Sequence, residues 1–443
     1  MNFQTIIKNL FSLLMLSSLM GCSSYGVITN SQQQTQALND NYSIQQTIAA
    51  KKQGNVTLVL AFSGGGTRAA ALAYGVLQQL RNTPINNKAT LLDEVDIISA
   101  VSGGSFTAAY YGLNGKDTFK NFKQDILLTD IEADLISLLL NPLQWFSSTG
   151  RTQQAIEYYN LKLFGGKTFK DLNKPGRPLI LINASDLSNG VRFSFVQEYF
   201  DVICSDIKDL PIAKAVAASS AVPVIFNPVV IKNYQPCDNG ASQKLKTYQQ
   251  FVKGNKELES ALSGLQEYTL DHYPFLHLVD GGITDNLGLR AIYEAIELSG
   301  GPKSFLKRVN KNQTKHIVVI AVDASTRTGS QINKSNKVPT TMQNINAMTD
   351  IQLHRYNAAT RYLFEQSLQK WGQQLSTPQQ PIQTHFINLS FDDIQQTDLK
   401  NEFNRIPTSL SLTEEQIDKL INAGEYLLKN NVDYLQLIHS FNE

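Results

Sequence analysis

The stretch DIISAVSGGSFTAAYYGL, residues 96–113, sets a buried strand against a helix with one serine at the corner. Ile97 to Val101 reads as the end of a strand that begins at Val95. The small and aromatic residues from Gly103 onward read as a helix. Ser102 stands between them. A turn this sharp exposes the side chain at its apex, and small residues two before and two after, Ala100 and Gly104, let the chain close. The helix that follows points its amide groups and positive end toward that apex. The other reading of Ser102 is a helix N-cap. Ser105, the rival hydroxyl, falls inside the helix.

The same alternation extends both ways from this corner. Val56 to Phe62 is a continuous apolar run of β-formers, as in a strand buried on both faces. It runs into Ser63-Gly64-Gly65-Gly66-Thr67-Arg68, and Ala69 to Leu80 has helical periodicity. Downstream strands are expected at 178–182, 191–196, 275–279, 316–322 and 384–389. Helices are expected at 289–298, at 344–371 and twice near the C-terminus. Residues 210–231 read as a small-residue helix stopping before Pro223 and then a strand, and 233–273 reads as a polar insertion. Strands alternating with helices predict an α/β fold in three layers, with a mostly parallel central sheet and helices on both faces. Residues 125–148 are conspicuously apolar and include Trp145-Phe146. They read either as a core-facing helix pair or as a lid against lipid.

Sites in open parallel sheets form beyond the carboxyl ends of strands, and three such ends carry unusual residues. Ser102 is one. Gly64-Gly65-Gly66 is another, where backbone amides can face a ligand without side chains in the way. A phosphate loop would end in Gly-Lys-Ser/Thr, but this one continues Thr67-Arg68, and Ala69 stands where a dinucleotide fingerprint needs its last glycine. An oxyanion hole for a carbonyl attacked by Ser102 fits better, and a plain flexible turn is the bland alternative. The third is Asp280-Gly281-Gly282. A serine nucleophile needs a proton acceptor. None of the six histidines sits in a glycine-marked loop at a strand's end, whereas Asp280 does. Asp-Gly is also a common turn pair, and Asp285 is a weaker candidate, read as a loop or cap residue.

The chain has 443 residues, 42% hydrophobic and 17% charged, with 39 basic and 38 acidic side chains. A net charge of +1 gives no footprint for nucleic acid. Lys8, the apolar run Leu10 to Leu16 and small residues before Cys22 describe an export signal too short to span a bilayer. Leu19-Met20-Gly21-Cys22 resembles the lipobox of bacterial lipoproteins, which implies cleavage before Cys22, lipidation of its thiol and a membrane anchor. Ser23 in the next position favours the outer membrane by resemblance to Gram-negative sorting rules. An ordinary signal peptide is the alternative. Residues 22–55, rich in Ser, Gln, Asn and Thr, are expected to form a flexible polar tether. Cys204 and Cys237 are the remaining pair: an exported chain invites a disulfide between them, and two unrelated thiols are equally open.

FSGGGTRAAALAYGVL, ISAVSGGS, AVAASSAVPVIFNPV and LVDGGITDNLG, in that order, resemble the patatin-like phospholipase family from about Val56 to Ser325. The resemblance implies Ser102 as nucleophile, Asp280 as base and Gly64, Gly65 and Gly66 as oxyanion donors, with Thr67 and Arg68 completing that loop. It implies hydrolysis of phospholipid or other lipid acyl esters and needs no metal or organic cofactor. Ala69 and Ala100 depart from the family's usual glycines without removing a hydroxyl, carboxylate or backbone donor. The domain plan expected is a signal peptide at 1–21, the tether, a catalytic domain at 56–330 and a C-terminal helical extension packed on it at 331–443. A Ser-Asp-His esterase and a lipid-binding lipoprotein without turnover remain as rivals.

Overall fold

The computed structural model describes residues 25–34, 42–134, 150–223, 225–270, 272–327, 332 and 335–441. The segment read as an export signal, Cys22 and Trp145-Phe146 lie outside the described residues. Ten strands are β1 (Ser31–Gln32), β2 (Val56–Phe62), β3 (Val95–Val101), β4 (Leu179–Asp186), β5 (Arg192–Ser194), β6 (Ser205–Asp206), β7 (Val229–Lys232), β8 (Phe275–Asp280), β9 (His316–Asp323) and β10 (Gln383–Ser390). The helices that matter here are α1 (Ile44–Ala50), α2 (Gly66–Arg81), α3 (Gly103–Asn114), α4 (Ile212–Ser219), α5 (Ala241–Val252), α6 (Gly282–Asp285), α7 (Leu289–Leu298), α8 (Pro302–Arg308), α9 (Thr341–Leu375) and α10 (Glu414–Lys429).

The central sheet runs β10-β9-β2-β3-β4-β8-β7, with β5 pairing β4. Its first five strands are parallel, and β2, β3, β4 and β9 are the mostly apolar runs that burial on both faces demands. The other edge departs from the parallel expectation: β8 pairs antiparallel with β4, and β7 antiparallel with β8. β8 overlaps only the end of β4, with Asp280 opposite Ala184, while Val101 of β3 lies opposite Asn183. That register stops β8 level with the Ser102 corner, so an antiparallel strand delivers its carboxylate to the same place.

One sheet face packs on α2 and α3. A Cβ on Gly112 of α3 would lie 2.6 Å from the Ile180 side chain. Helix α10 backs α2 at a crossing of two glycines: a Cβ on Gly75 would meet the Ile421 carbonyl at 2.0 Å, and one on Gly424 the Leu72 carbonyl at 2.3 Å. The opposite face is covered by α7, α8 and α9.

Two expected segments behave differently. Residues 22–55 are not a free tether where they are described. Tyr42 is buried and its hydroxyl accepts from the Ile180 amide at 2.6 Å. Ser43 caps α1, which buries Ile44 and Ile48, and β1 pairs with β6. The polar composition hid enough apolar side chains to fund a docked helix. The residues beyond 331 are helical as expected but also supply β10, so they belong to the sheet as well as packing on it. Cys204 and Cys237 form a disulfide, with Cα atoms 5.9 Å apart.

Candidate active site

Ser102 sits between β3 and α3 with φ 50° and ψ −123°, a backbone conformation costly for a residue with a side chain. Two glycines make the corner possible. A Cβ on Gly103 would come within 2.0 Å of the Gly66 carbonyl oxygen, and one on Gly104 within 2.8 Å of Phe62. Gly104 is thus kept small chiefly by the neighbouring strand β2, not by Ala100. The Ser102 amide donates to Ser219 Oγ at 2.8 Å, and the Ser219 hydroxyl donates to the Asn183 carbonyl at 2.6 Å. Ser219, at the end of α4, therefore ties the corner to β4. Nothing in the sequence alone marks it, because its role depends on long-range register.

The Ser102 hydroxyl donates to Asp280 Oδ2 at 2.8 Å across 178 residues of sequence. The other oxygen, Oδ1, accepts from the Gly282 amide at 2.8 Å. Asp280 is buried, and loss of water pushes its carboxyl up to about 6 against the pull of those two donors. Both oxygens are therefore engaged without a histidine. His316 meets His385, His354 meets the Thr326 carbonyl and His272 meets Glu267.

The glycine loop abuts this pair, with a Cβ on Gly64 falling 3.3 Å from Ser102 Cβ. Its amides do not all remain available. That of Gly64 donates to the Asn286 carbonyl at 3.0 Å, and that of Thr67 to the Ser409 carbonyl at 2.8 Å. The Arg68 guanidinium reaches the carbonyls of Ala324 and Ile406 and the Thr408 hydroxyl. Arg68 thus straps the C-terminal loop over the start of α2 and does not present its charge to Ser102. Among the described residues the amides of Gly65 and Gly66 have no acceptor. The anion-binding set expected from sequence shortens to these two, and α2 adds its positive end.

Asn286 lies beside Gly64 and donates to Ser325 Oγ at 3.3 Å, a neighbour the sequence reading missed. Asp285 is fully buried, ends α6 and accepts from the Ala291 amide in the first turn of α7 at 3.0 Å. The loop-or-cap expectation gives way to a helical position, and the N-cap of α7 is Gly288. Burial pushes its carboxyl up to about 6, with the Arg192 charge pulling the other way. Next to Gly66 and Thr67 is a small apolar cleft lined by Phe106, Ile126, Leu127, Ile131 and Leu410. The described part of the 125–148 stretch thus packs inward beside the glycine loop, and residues 135–148 lie outside the described residues.

Residues 60–293 match the model of the patatin-like phospholipase family. No match is found among the curated proteins. Among solved structures, human GIVD cytosolic phospholipase A2 is 13% identical, with 87% of this chain aligned to 62% of that one and a TM-score of 0.44. The same human enzyme with methyl gamma-linolenyl fluorophosphonate is 12% identical, with 90% of this chain aligned to 62% of that one and a TM-score of 0.39. VipD from Legionella pneumophila is 15% identical, with 96% of this chain aligned to 73% of that one and a TM-score of 0.32. The chain thus spans under two thirds of the human enzyme's length.

Proposed function

The chain belongs to the patatin-like phospholipase family, and from that premise we propose that it is a serine hydrolase of lipid acyl esters, of phospholipase A or lysophospholipase type, working through a Ser102–Asp280 dyad. The observation that carries this reading is the 2.8 Å bond from the Ser102 hydroxyl to Asp280 at a strained strand-to-helix corner.

Asp280 takes the Ser102 proton as Oγ attacks the ester carbonyl carbon. The carbonyl π electrons move onto oxygen, and the amides of Gly65 and Gly66 meet that charge. Each such donor is typically worth about 3 kcal/mol of barrier. The carbon–oxygen bond to the alcohol then breaks, and the proton held by Asp280 goes to the leaving alkoxide. Water attacks the acyl-serine with its proton passing to Asp280. Ser102 leaves with that proton, and the fatty acid is released. The apolar cleft by Gly66 is placed to receive the first carbons of the acyl chain. An Asp280 that ionises near 6 suits this cycle: it is charged at neutral pH, yet more basic than an exposed carboxylate.

Anchoring through a lipidated Cys22 at the outer membrane belongs to the same proposal, because the substrate lives in a bilayer. Cys22→Ser is expected to lose lipid labelling and to leave the membrane fraction.

A phospholipid panel with defined acyl positions tests the activity. Wild type is expected to release fatty acid, Ser102→Ala none, and Asp280→Asn about 10²–10⁴-fold less. Substituting His316, His354, His385 or His439 is expected to leave the rate unchanged. Loss of hydrolysis on changing one of them would instead favour a Ser-Asp-His triad.

A further inference from the structure

A cavity of about 80 Å³ lies against the sheet face opposite α2 and α3, toward the amino ends of the strands. Its floor is one lateral row of the sheet: Val319, Val59, Ile97 and Leu179 are register neighbours on four strands. Its roof is Ile292, Phe305, Phe364 and Trp371, and its lining is almost wholly apolar. Apolar cavities of this kind stay dry and accept apolar guests.

It adjoins a second cavity of about 310 Å³, within the size range of ligand sites, and the two share Ile44, Leu181, Ala295 and Phe305 as walls. The larger one is amphipathic. Away from the shared walls it is bordered by Glu198, Asp201, Lys244 and Arg308. The two acids are already engaged by neutral donors. Glu198 accepts from the amides of Ile44 and Gln45, and Asp201 from the side-chain amides of Gln33 and Gln197. The cations are less well matched. Arg308 donates to the hydroxyls of Tyr248 and Ser299 and stands 3.7 Å from Glu198. Lys244 is exposed at the mouth, and among the described residues its ammonium has no hydrogen bond or ion pair.

We propose that these joined cavities form a second lipid site, distinct from the Ser102 centre, that takes one long-chain carboxylate. The chain passes the Ala295–Phe305 waist into the apolar chamber, and the carboxylate meets Lys244 and Arg308. None of the residues lining either cavity contacts Ser102 or Asp280 through a hydrogen bond, so the site does not depend on the hydrolytic reading.

The test uses the full chain carrying Ser102→Ala, with cis-parinaric acid as a fluorescent fatty-acid probe. Saturable binding of one probe per chain is expected. Palmitate is expected to displace it, and palmityl alcohol and dipalmitoyl phosphatidylcholine vesicles are not. Ala295→Trp, which blocks the waist, and Lys244→Glu, at an exposed position, are each expected to weaken binding about tenfold or more. In chains retaining Ser102, both substitutions are expected to leave fluorophosphonate labelling of that serine unchanged. If Ala295→Trp does not fold, Lys244→Glu decides. Absence of saturable binding would overturn the proposal, as would binding indifferent to Lys244→Glu or equal displacement by the alcohol. Loss of probe binding together with loss of serine labelling would assign the probe to the hydrolytic centre instead.

Discussion

The Asp280 carboxylate carries the heaviest load of any single group. Its ionisation near 6 predicts that kcat/KM rises about tenfold per pH unit in acid and levels off above about pH 6. A pH–rate profile checks this, and a plateau reached below pH 4 would contradict it. The same burial has a stability cost of opposite pH sense. Between the ordinary aspartate value of 3.8 and about 6 the folded chain holds the Asp280 proton more tightly than the unfolded chain does. Wild type therefore loses this contribution as pH rises through that window. Asp280→Asn lacks the ionisation, so its melting temperature is expected to gain on wild type from pH 4 to pH 6 and to hold that gain above. Ser219 acts one step back, through the Ser102 amide. Ser219→Ala is expected to lower kcat with little change in KM and to cost about 1 kcal/mol of stability. Ser102, Asp280 and the glycines were legible because they stand where apolar strand runs end abruptly. Ser219 and Asn286 were not, because they are ordinary polar residues brought in by pairing between distant segments. The sequence also could not show which loop amides the fold uses elsewhere, and the Gly64 and Thr67 amides are so used.

At the level of elements, periodicity and length placed the strands of the parallel half and the helices after Gly66 and Ser102. Strand direction was not legible for β8, whose six residues read the same either way, so its antiparallel pairing emerges only from the register with β4. Docking of α1 was missed because Tyr42, Ile44 and Ile48 are few among polar neighbours, yet each finds a buried seat. The crossing of α2 and α10 is a sharper case: two unremarkable glycines are what let the backbones touch. Gly424→Leu forces α10 away from α2 and is expected to cost about 1–3 kcal/mol, measured by urea denaturation. An unchanged midpoint would show that the helices can part without loss. Arg68 links α2 to the C-terminal loop by two hydrogen bonds and to the Ala324 carbonyl after β9 by a third. That strap makes the 406–411 loop a wall beside the glycine amides.

On the scale of the whole molecule, the Ser102–Asp280 pair is assembled from segments far apart in the chain. The corner after β3 supplies Ser102, β8 the carboxylate, α4 the tie to the corner, and the C-terminal loop the strap. The disulfide joins Cys204, just before β6, to Cys237 in the segment between β7 and α5, 33 residues apart. Cys237→Ser is expected to lower stability by about 2–4 kcal/mol while leaving the serine's reactivity intact. The two adjoining cavities lie on the opposite side of the sheet from α2 and α3. The proposed hydrolysis rests on Ser102 being activated by Asp280. The most direct measurement is the rate at which a fluorophosphonate labels the chain, with the modified residue located by mass spectrometry, in wild type, Ser102→Ala and Asp280→Asn. The account predicts a single adduct on Ser102, none in Ser102→Ala, and labelling of Asp280→Asn slowed by at least a hundredfold. Labelling of Asp280→Asn at the wild-type rate, or an adduct persisting in Ser102→Ala, would contradict it.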